Sequence, residues 1–305
     1  MTMDDHLLEL HGLGAQDYIP GAGLADVEQV AWRLQREPGG RPLLEGRLVP
    51  FLAEPDLGRV RALVIGCWAD DPQADSRTLL VELAAHAERM PALRALFLGD
   101  ITYEECEPSG IRHGDVTALA AAFPLLEEYG VRCGSEQITV RPLASQALRR
   151  LTFDGSGLPA AAVQAIARSD LPNLEHLELW LGSEEHGGGA TPDDLAPILA
   201  GRRFPALRYL GLRDAGIADD LAGALASAPV LAQLRVLDLS LGTLGDDGVL
   251  ALLRGQRLAH LSLLDLHHHY LTDGAMAHVR ASGLSVDLSD QQQEGAGSRS
   301  VAVAD

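Results

Sequence analysis

The residues best equipped for chemistry lie late in this 305-residue chain, where Asp265 is followed by His267, His268 and His269. Carboxylates and imidazoles are the ordinary ligands of zinc or iron. Asp238 and Ser240 occupy the matching places 27 residues earlier, so on adjacent strands about 4.8 Å apart they would flank Asp265 and His267. The candidate metal set is therefore Asp238, Asp265, His267 and His269. Successive strand residues face opposite ways, so at most His267 and His269 share the face that carries the carboxylates. The same run can equally be a partner-binding surface or a structural turn. His176 lies three repeats away, about 15 Å by the same spacing, and cannot join it.

Other candidates are weaker. Asp100, Glu104, Glu105, Glu107 and His113 cluster in one long unit, as a functional rim loop or a solvated helix start would. The Gly-rich run His186 to Thr191 lacks the Lys and spacing of a phosphate loop. It reads as a rim loop leading to a helix start at Thr191, Pro192 and Asp193. Cys67, Cys106 and Cys133 are odd in number and form no CxxC pair, which argues against a disulfide framework or zinc knuckle. No nucleophile–base–orienter set and no cofactor fingerprint is complete, which favours a non-enzymatic scaffold without a cofactor; the alternative is a metal-binding accessory enzyme or sensor using the His267 to His269 region.

The elements that position these groups follow from a repeat. With 54 leucines and only 4% aromatics, the core is built from one aliphatic residue. Leu-x-x-Leu-x-Leu begins at Val60, Leu93, Leu126, Leu148, Leu174, Leu207, Leu234 and Leu261, at intervals of 33, 33, 22, 26, 33, 27 and 27 residues, and Val286 to Leu288 closes the series. Between copies, stretches such as Asp219 to Ser227 and Asp246 to Leu253 switch to helical spacing behind an Asp able to cap a helix. Each unit is strand, turn, helix. Such units bury their apolar faces only against one another, which predicts an α/β fold: a right-handed leucine-rich-repeat solenoid, or horseshoe, with parallel strands on the concave face and helices on the convex face.

The chain resembles leucine-rich-repeat proteins of the ribonuclease-inhibitor type. It resembles more closely a family of bacterial cytoplasmic leucine-rich-repeat proteins, through Phe97 to Cys106 (FLGDITYEEC), Asp194 to Gly201, Leu237 to Gly248 and Leu264 to Leu271 (LDLHHHYL). That family usually has a Trp where this chain has Gly110. The resemblance implies an accessory role beside radical and ATP-dependent biosynthetic enzymes.

Residues 1–59 lack the strand pattern and are expected to form an N-terminal capping segment, 60–288 the repeat domain, and the polar stretch 289–305 a disordered tail in which Val301 to Ala304 could add an edge strand. In the strands, residues between the leucines point to the concave surface. Its C-terminal half then carries His176, Glu178, Trp180, Tyr209, Arg213, Asp238, Ser240, Asp265, His267 and His269. Aromatic and Arg side chains on a preformed surface are the usual anchors of protein recognition. The expected partner is a protein or peptide, basic because Glu178, Asp238 and Asp265 form an acidic ladder. A net charge of −19, with no visible Arg patch, disfavours nucleic acid. All 24 basic residues are Arg, and Asn occurs once, as codon bias in a GC-rich bacterium would produce. No apolar run is long enough for a membrane helix and the N-terminus lacks a signal pattern, so a cytoplasmic monomer is expected.

Overall fold

The computed structural model describes residues 3, 5–37, 39–69, 71, 74–134, 138–295 and 298–303. Among them are twelve strands in one sheet, ordered as in the chain. They are β1 (Glu9–Leu10), β2 (Leu13–Asp17), β3 (Val30–Leu34), β4 (Ala62–Gly66), β5 (Ala95–Asp100), β6 (Glu128–Cys133), β7 (Arg150–Gly155), β8 (His176–Gly182), β9 (Tyr209–Ala215), β10 (Val236–Asp238), β11 (Leu263–Asp265) and β12 (Val286–Asp287). β1 and β2 pair antiparallel, and every later neighbour is parallel. One strand falls on each leucine copy from β4 onwards, an arrangement that fits a leucine-rich-repeat-like fold.

Eight α-helices accompany the sheet: α1 (Val49–Leu52), α2 (Arg77–Ala85), α3 (Val116–Ala122), α4 (Ala160–Ala167), α5 (Ala196–Leu199), α6 (Ala218–Leu225), α7 (Asp246–Arg254) and α8 (Asp273–Ala281). Their buried faces join the strand leucines in one continuous core, as Leu221, Leu225, Val249 and Leu252 join Leu210, Leu237 and Leu264. Acidic residues open α6, α7 and α8, and Arg254 and Arg280 close α7 and α8, matching the helix dipole. Asp219 accepts the Gly245 amide at 2.7 Å and Asp246 accepts that of Thr272 at 2.8 Å, so each unit's helix start ties down the next unit. Gly248 follows from the same closeness: a Cβ there would lie 2.7 Å from the Asp219 Cα.

Both chain ends depart from expectation. The N-terminal segment is not strandless, because β1 to β3 extend the sheet through it and Tyr18 packs edge-on against Trp32 and Phe51. These strands lack the leucine signature because aromatics fill the core at that end. The polar tail, expected to be disordered, is instead bound across its described residues. Gln292 donates to the His269 carbonyl, Arg299 pairs with Asp219 at 3.0 Å, Ala302 donates to the Leu241 carbonyl, and Val301 is buried. Its polar groups find partners along the strand-to-helix loops, which hydropathy does not register.

The last anchor of the described tail is Asp214, fully buried at φ 51°, whose Oδ1 accepts the Val303 amide at 2.9 Å while Oδ2 has no partner among the described residues. Burial pushes this carboxyl up to about 8. A raised carboxyl binds its proton more tightly folded than unfolded, so stability falls as pH rises through the window up to about 8. Asp214→Asn, which keeps an acceptor for Val303 and tolerates the left-handed backbone, should gain more thermal stability over wild type at pH 9 than at pH 5. Equal gains at both values would contradict this burial.

Candidate functional site

Register turns the sheet's second face into rows. On the face away from the helices, hereafter the open face, Ala31, Ala62, Ala95, Glu128, Arg150, His176, Tyr209, Val236 and Leu263 occupy one row. Two residues on, Glu178, Gly211, Asp238, Asp265 and Asp287 share the next row. The row after that brings Arg132 beside Asp154 and Trp180 beside Arg213.

Glu178 is the hub of the C-terminal half. One oxygen accepts from Trp180 Nε1 at 2.8 Å and Arg213 Nη1 at 3.0 Å; the other lies 3.2 Å from the Tyr209 hydroxyl oxygen and 3.5 Å from His176 Nε2. The Tyr209 hydroxyl donates to Asp238 at 2.7 Å, and Arg213 Nε donates to Ser240 Oγ, which donates to Asp238 at 2.6 Å. Small Gly211 between the two acids leaves room for the Tyr209 ring, which stacks on His176 at 3.8 Å. Arg213 also lies over the Trp180 ring at 5.1 Å.

The charges follow from these contacts. Burial opposes ionisation of Glu178, but His176, Arg213 and Trp180 outweigh it and hold the carboxyl well below its usual range. Burial likewise works against the Arg213 charge, and Asp238 and Glu178 overcome it. His176 is pushed down by burial, and Tyr209 is pushed far up by burial and its two acids. Near neutral pH Glu178 is thus ionised, Arg213 charged, His176 a neutral imidazole and Tyr209 a phenol fixed as a donor.

The sequence-derived binding residues therefore divide. His176, Glu178, Tyr209, Asp265 and His267 retain exposed atoms, but Trp180, Arg213, Asp238, Ser240 and His269 are buried. Trp180, expected to face outward as an anchor, is 1% exposed. It sits on the expected face; the neighbouring strand carries Arg213 alongside it and over its ring, and its indole N–H is spent on Glu178. The proposed four-ligand metal set is not assembled. Asp238 is committed to Tyr209, Arg213 and Ser240, and His269 lies beneath the surface, taking the Leu271 amide on Nδ1 with Nε2 on the Leu288 carbonyl. Strand alternation fails there because β11 ends at Asp265 and His268 turns at φ 58° towards Asp290. The group that does converge is Asp265, His267 and Asp287, with ligand atoms within 4.8 Å of one another. His267 Nδ1 lies 2.7 Å from Asp265, which raises the imidazole pKa.

The N-terminal half of the open face is covered by the chain itself, which the sequence reading did not anticipate. Leu7 and Leu10 lie on Ala31, Ala62, Val64, Ala95 and Phe97. Asp100, fully buried, accepts the Leu7 amide at 2.9 Å and pairs with Arg33 at 3.0 Å, and Arg33 also donates to the Leu7 carbonyl. His6 completes the clamp, its pKa raised by the bond to Asp100. Alanine at one strand position in three successive units was the available signal, since small side chains there make room for an overlying segment. Of the acidic insertion, Asp100 thus belongs to this clamp. His113 is buried between Ser76 and the Arg132 carbonyl, and burial pushes it down to about 4. Burial also raises the Cys67 and Cys133 thiols. Thr191 bonds Asp194 at 2.8 Å, but the helix beyond begins only at Ala196.

No family model and no curated protein matches this chain. A crystal structure of a Bacteroides fragilis protein superposes with a TM-score of 0.79 at 27% identity, over 88% of this chain and 76% of that one. The fold is shared with that protein. An internalin of Listeria monocytogenes aligns at 14% identity with a TM-score of 0.37, over 86% of this chain and 73% of its own.

Glu178 takes bonds from Trp180 and Arg213, and losing hydrogen bonds to a buried charged group costs about 2 kcal/mol even though Arg213 keeps Asp238 as a partner. Glu178→Gln should destabilise by about that amount at pH 7 in denaturant titrations. A depressed carboxyl stabilises above its unfolded pKa and loses that contribution as pH falls below it, so the gap to wild type should narrow at pH 3. An equal gap at both pH values would remove Glu178 as the hub.

Proposed function

We propose that the chain is a right-handed leucine-rich-repeat solenoid of the ribonuclease-inhibitor type, and that it acts as a non-enzymatic scaffold. On this reading the open face is concave and grips a protein or peptide along its uncovered C-terminal half. The observation that carries the reading is the stacked His176–Tyr209 pair, fixed from below by Glu178, Asp238 and Arg213 and still partly exposed above. Side chains already ordered in the free protein lose little freedom on binding. The resemblance to bacterial cytoplasmic leucine-rich-repeat proteins supports a cytoplasmic monomer in an accessory role, and no helix among the described residues is long and apolar enough to cross a membrane.

The partner is basic on this proposal, though for a narrower reason than an acidic ladder of Glu178, Asp238 and Asp265. Arg213 compensates Glu178 and Asp238, which leaves Asp265 and Asp287 as the acids without an Arg at one end of the row. Attraction to these partly exposed groups acts within a Debye length of about 8 Å at physiological salt, so it speeds encounter more than it holds the complex. A second reading rests on the convergence of Asp265, His267 and Asp287: a divalent metal bound there.

Affinity capture from native lysate, followed by surface kinetics on the captured partner, tests the first reading. Asp265→Ala should slow association several-fold at low salt and little at high salt, while Thr152→Arg, on the same face, should block capture. Capture unchanged in both variants would contradict the assignment. Elemental analysis of untagged protein tests the second: stoichiometric metal lost in His267→Ala supports it, and metal-free protein able to capture its partner removes it.

A further inference from the structure

The edge of the sheet where strands begin carries an unbalanced charge. Arg61, Arg94, Glu127, Arg149, Glu175, Arg208 and Arg235 stand at equivalent positions just before successive strands. Across the middle units this edge neutralises itself, with Arg94 3.8 Å from Glu127, Arg150 3.5 Å from Glu128 and Arg149 2.5 Å from Glu175. Beyond β8 the pattern changes. The helix-to-strand segments 200–209, 226–236, 254–263 and 280–286 contain seven arginines and no Asp or Glu, in a chain of net charge −19.

These segments are contiguous. Arg235 donates its amide to the Arg208 carbonyl and Ser262 to that of Arg235, while Gln256 donates to Ala226 and Gly201 packs on Val230. Arg202 and Arg203 project from the turn before β9, Arg257 from the turn before β11, and all seven arginines are exposed. None forms an ion pair with a carboxylate among the described residues, unlike Arg33, Arg59, Arg77, Arg141 and Arg299 elsewhere. Helix dipoles account for Arg254 and Arg280, which end α7 and α8. The other five lie outside helices and have no such explanation. A cleft of about 310 Å³ between the 253–259 and 282–284 segments, lined by Leu253, Leu258 and Leu284 beside Arg257, adds an apolar foothold.

We propose that this arginine edge of the last four units docks an acidic protein segment, at a surface separate from the open face. Guanidinium groups repeating once per unit match carboxylates along an extended chain, and each can take a carboxylate in a two-bond fork. Nucleic acid fits less well. Phe204 of these segments is buried, Tyr209 is committed to the open face, and the exposed ring of His260 is tied through Nε2 to the Leu231 carbonyl, so a strand of bases finds no series of stacking platforms among the described residues. Asp193, Asp220, Asp247 and Asp273 on the opposite edge of the same units would also repel a long polyanion.

The test is fluorescence anisotropy with a labelled Glu/Asp peptide of about twelve residues, alongside a single-stranded oligonucleotide of equal charge. The full-length chain should bind the peptide, and Arg202→Gln, Arg203→Gln and Arg257→Gln combined should weaken it at least tenfold without changing thermal stability. Arg59→Gln, which removes an arginine already paired with Glu28, should leave affinity within twofold. Absent peptide binding, an equal loss in Arg59→Gln, or tighter binding of the oligonucleotide would each overturn the proposal. So would self-association in sedimentation that the triple variant abolishes, because the occupant would then be a second copy of this chain.

Discussion

Parallel register is the constraint on which the molecule depends. Once every unit commits its leucines to one side of a strand, the residues between them must appear on the other side, aligned with their counterparts in the neighbouring units. Backbone bonds such as Arg235 to Arg208 lock that alignment residue by residue. An open-face side chain therefore has fixed neighbours about 4.8 Å away on either side, and its character is decided by those neighbours as much as by its own type. Glu178 and Arg213 meet because their strands do, and so do Arg132 and Asp154, paired through two nitrogens at 3.3 and 3.2 Å.

This constraint divides the open face. Towards the N-terminus, alanines leave a shallow apolar floor that the chain fills with its own Leu7 and Leu10. In the middle, acids and arginines pair across strands, as Glu178 and Asp238 do with Arg213, so they give rigidity and little charge free of a partner. At the C-terminal end the alternation stops, and Asp265, His267 and Asp287 remain partly exposed with no Arg paired to them. The helix ends impose a second pattern at right angles to the first, acids where helices start and arginines where they finish.

Much of this was legible in the sequence. Spacing of Leu207, Leu210 and Leu212 against Leu234, Leu237 and Leu239 fixes strands, register and the row that joins Asp238 to Asp265. Period-two reasoning also puts Trp180 and Arg213 on the open face. It does not say that they pack on each other and disappear from solvent, because burial depends on cross-strand contacts that a single strand does not encode. His269 departs from expectation for a related reason: alternation holds only while the strand continues, and the turn at His268 ends it. The N-terminal segment and the tail were hidden differently. Their few contacts are made by isolated leucines and polar groups whose partners lie far away in sequence, as with Arg299 and Asp219.

The central claim is that the uncovered part of the open face is where this protein meets its partner. Site-specific photocrosslinking in cells tests it even while that partner is unidentified. A benzophenone side chain would replace Thr152 or Leu263, both half-exposed on the open face, or Val81, 70% exposed on α2. Discrete adducts from positions 152 and 263 and none from 81 are predicted. Adducts from position 81 alone would show that the helices, not the strands, carry the contact.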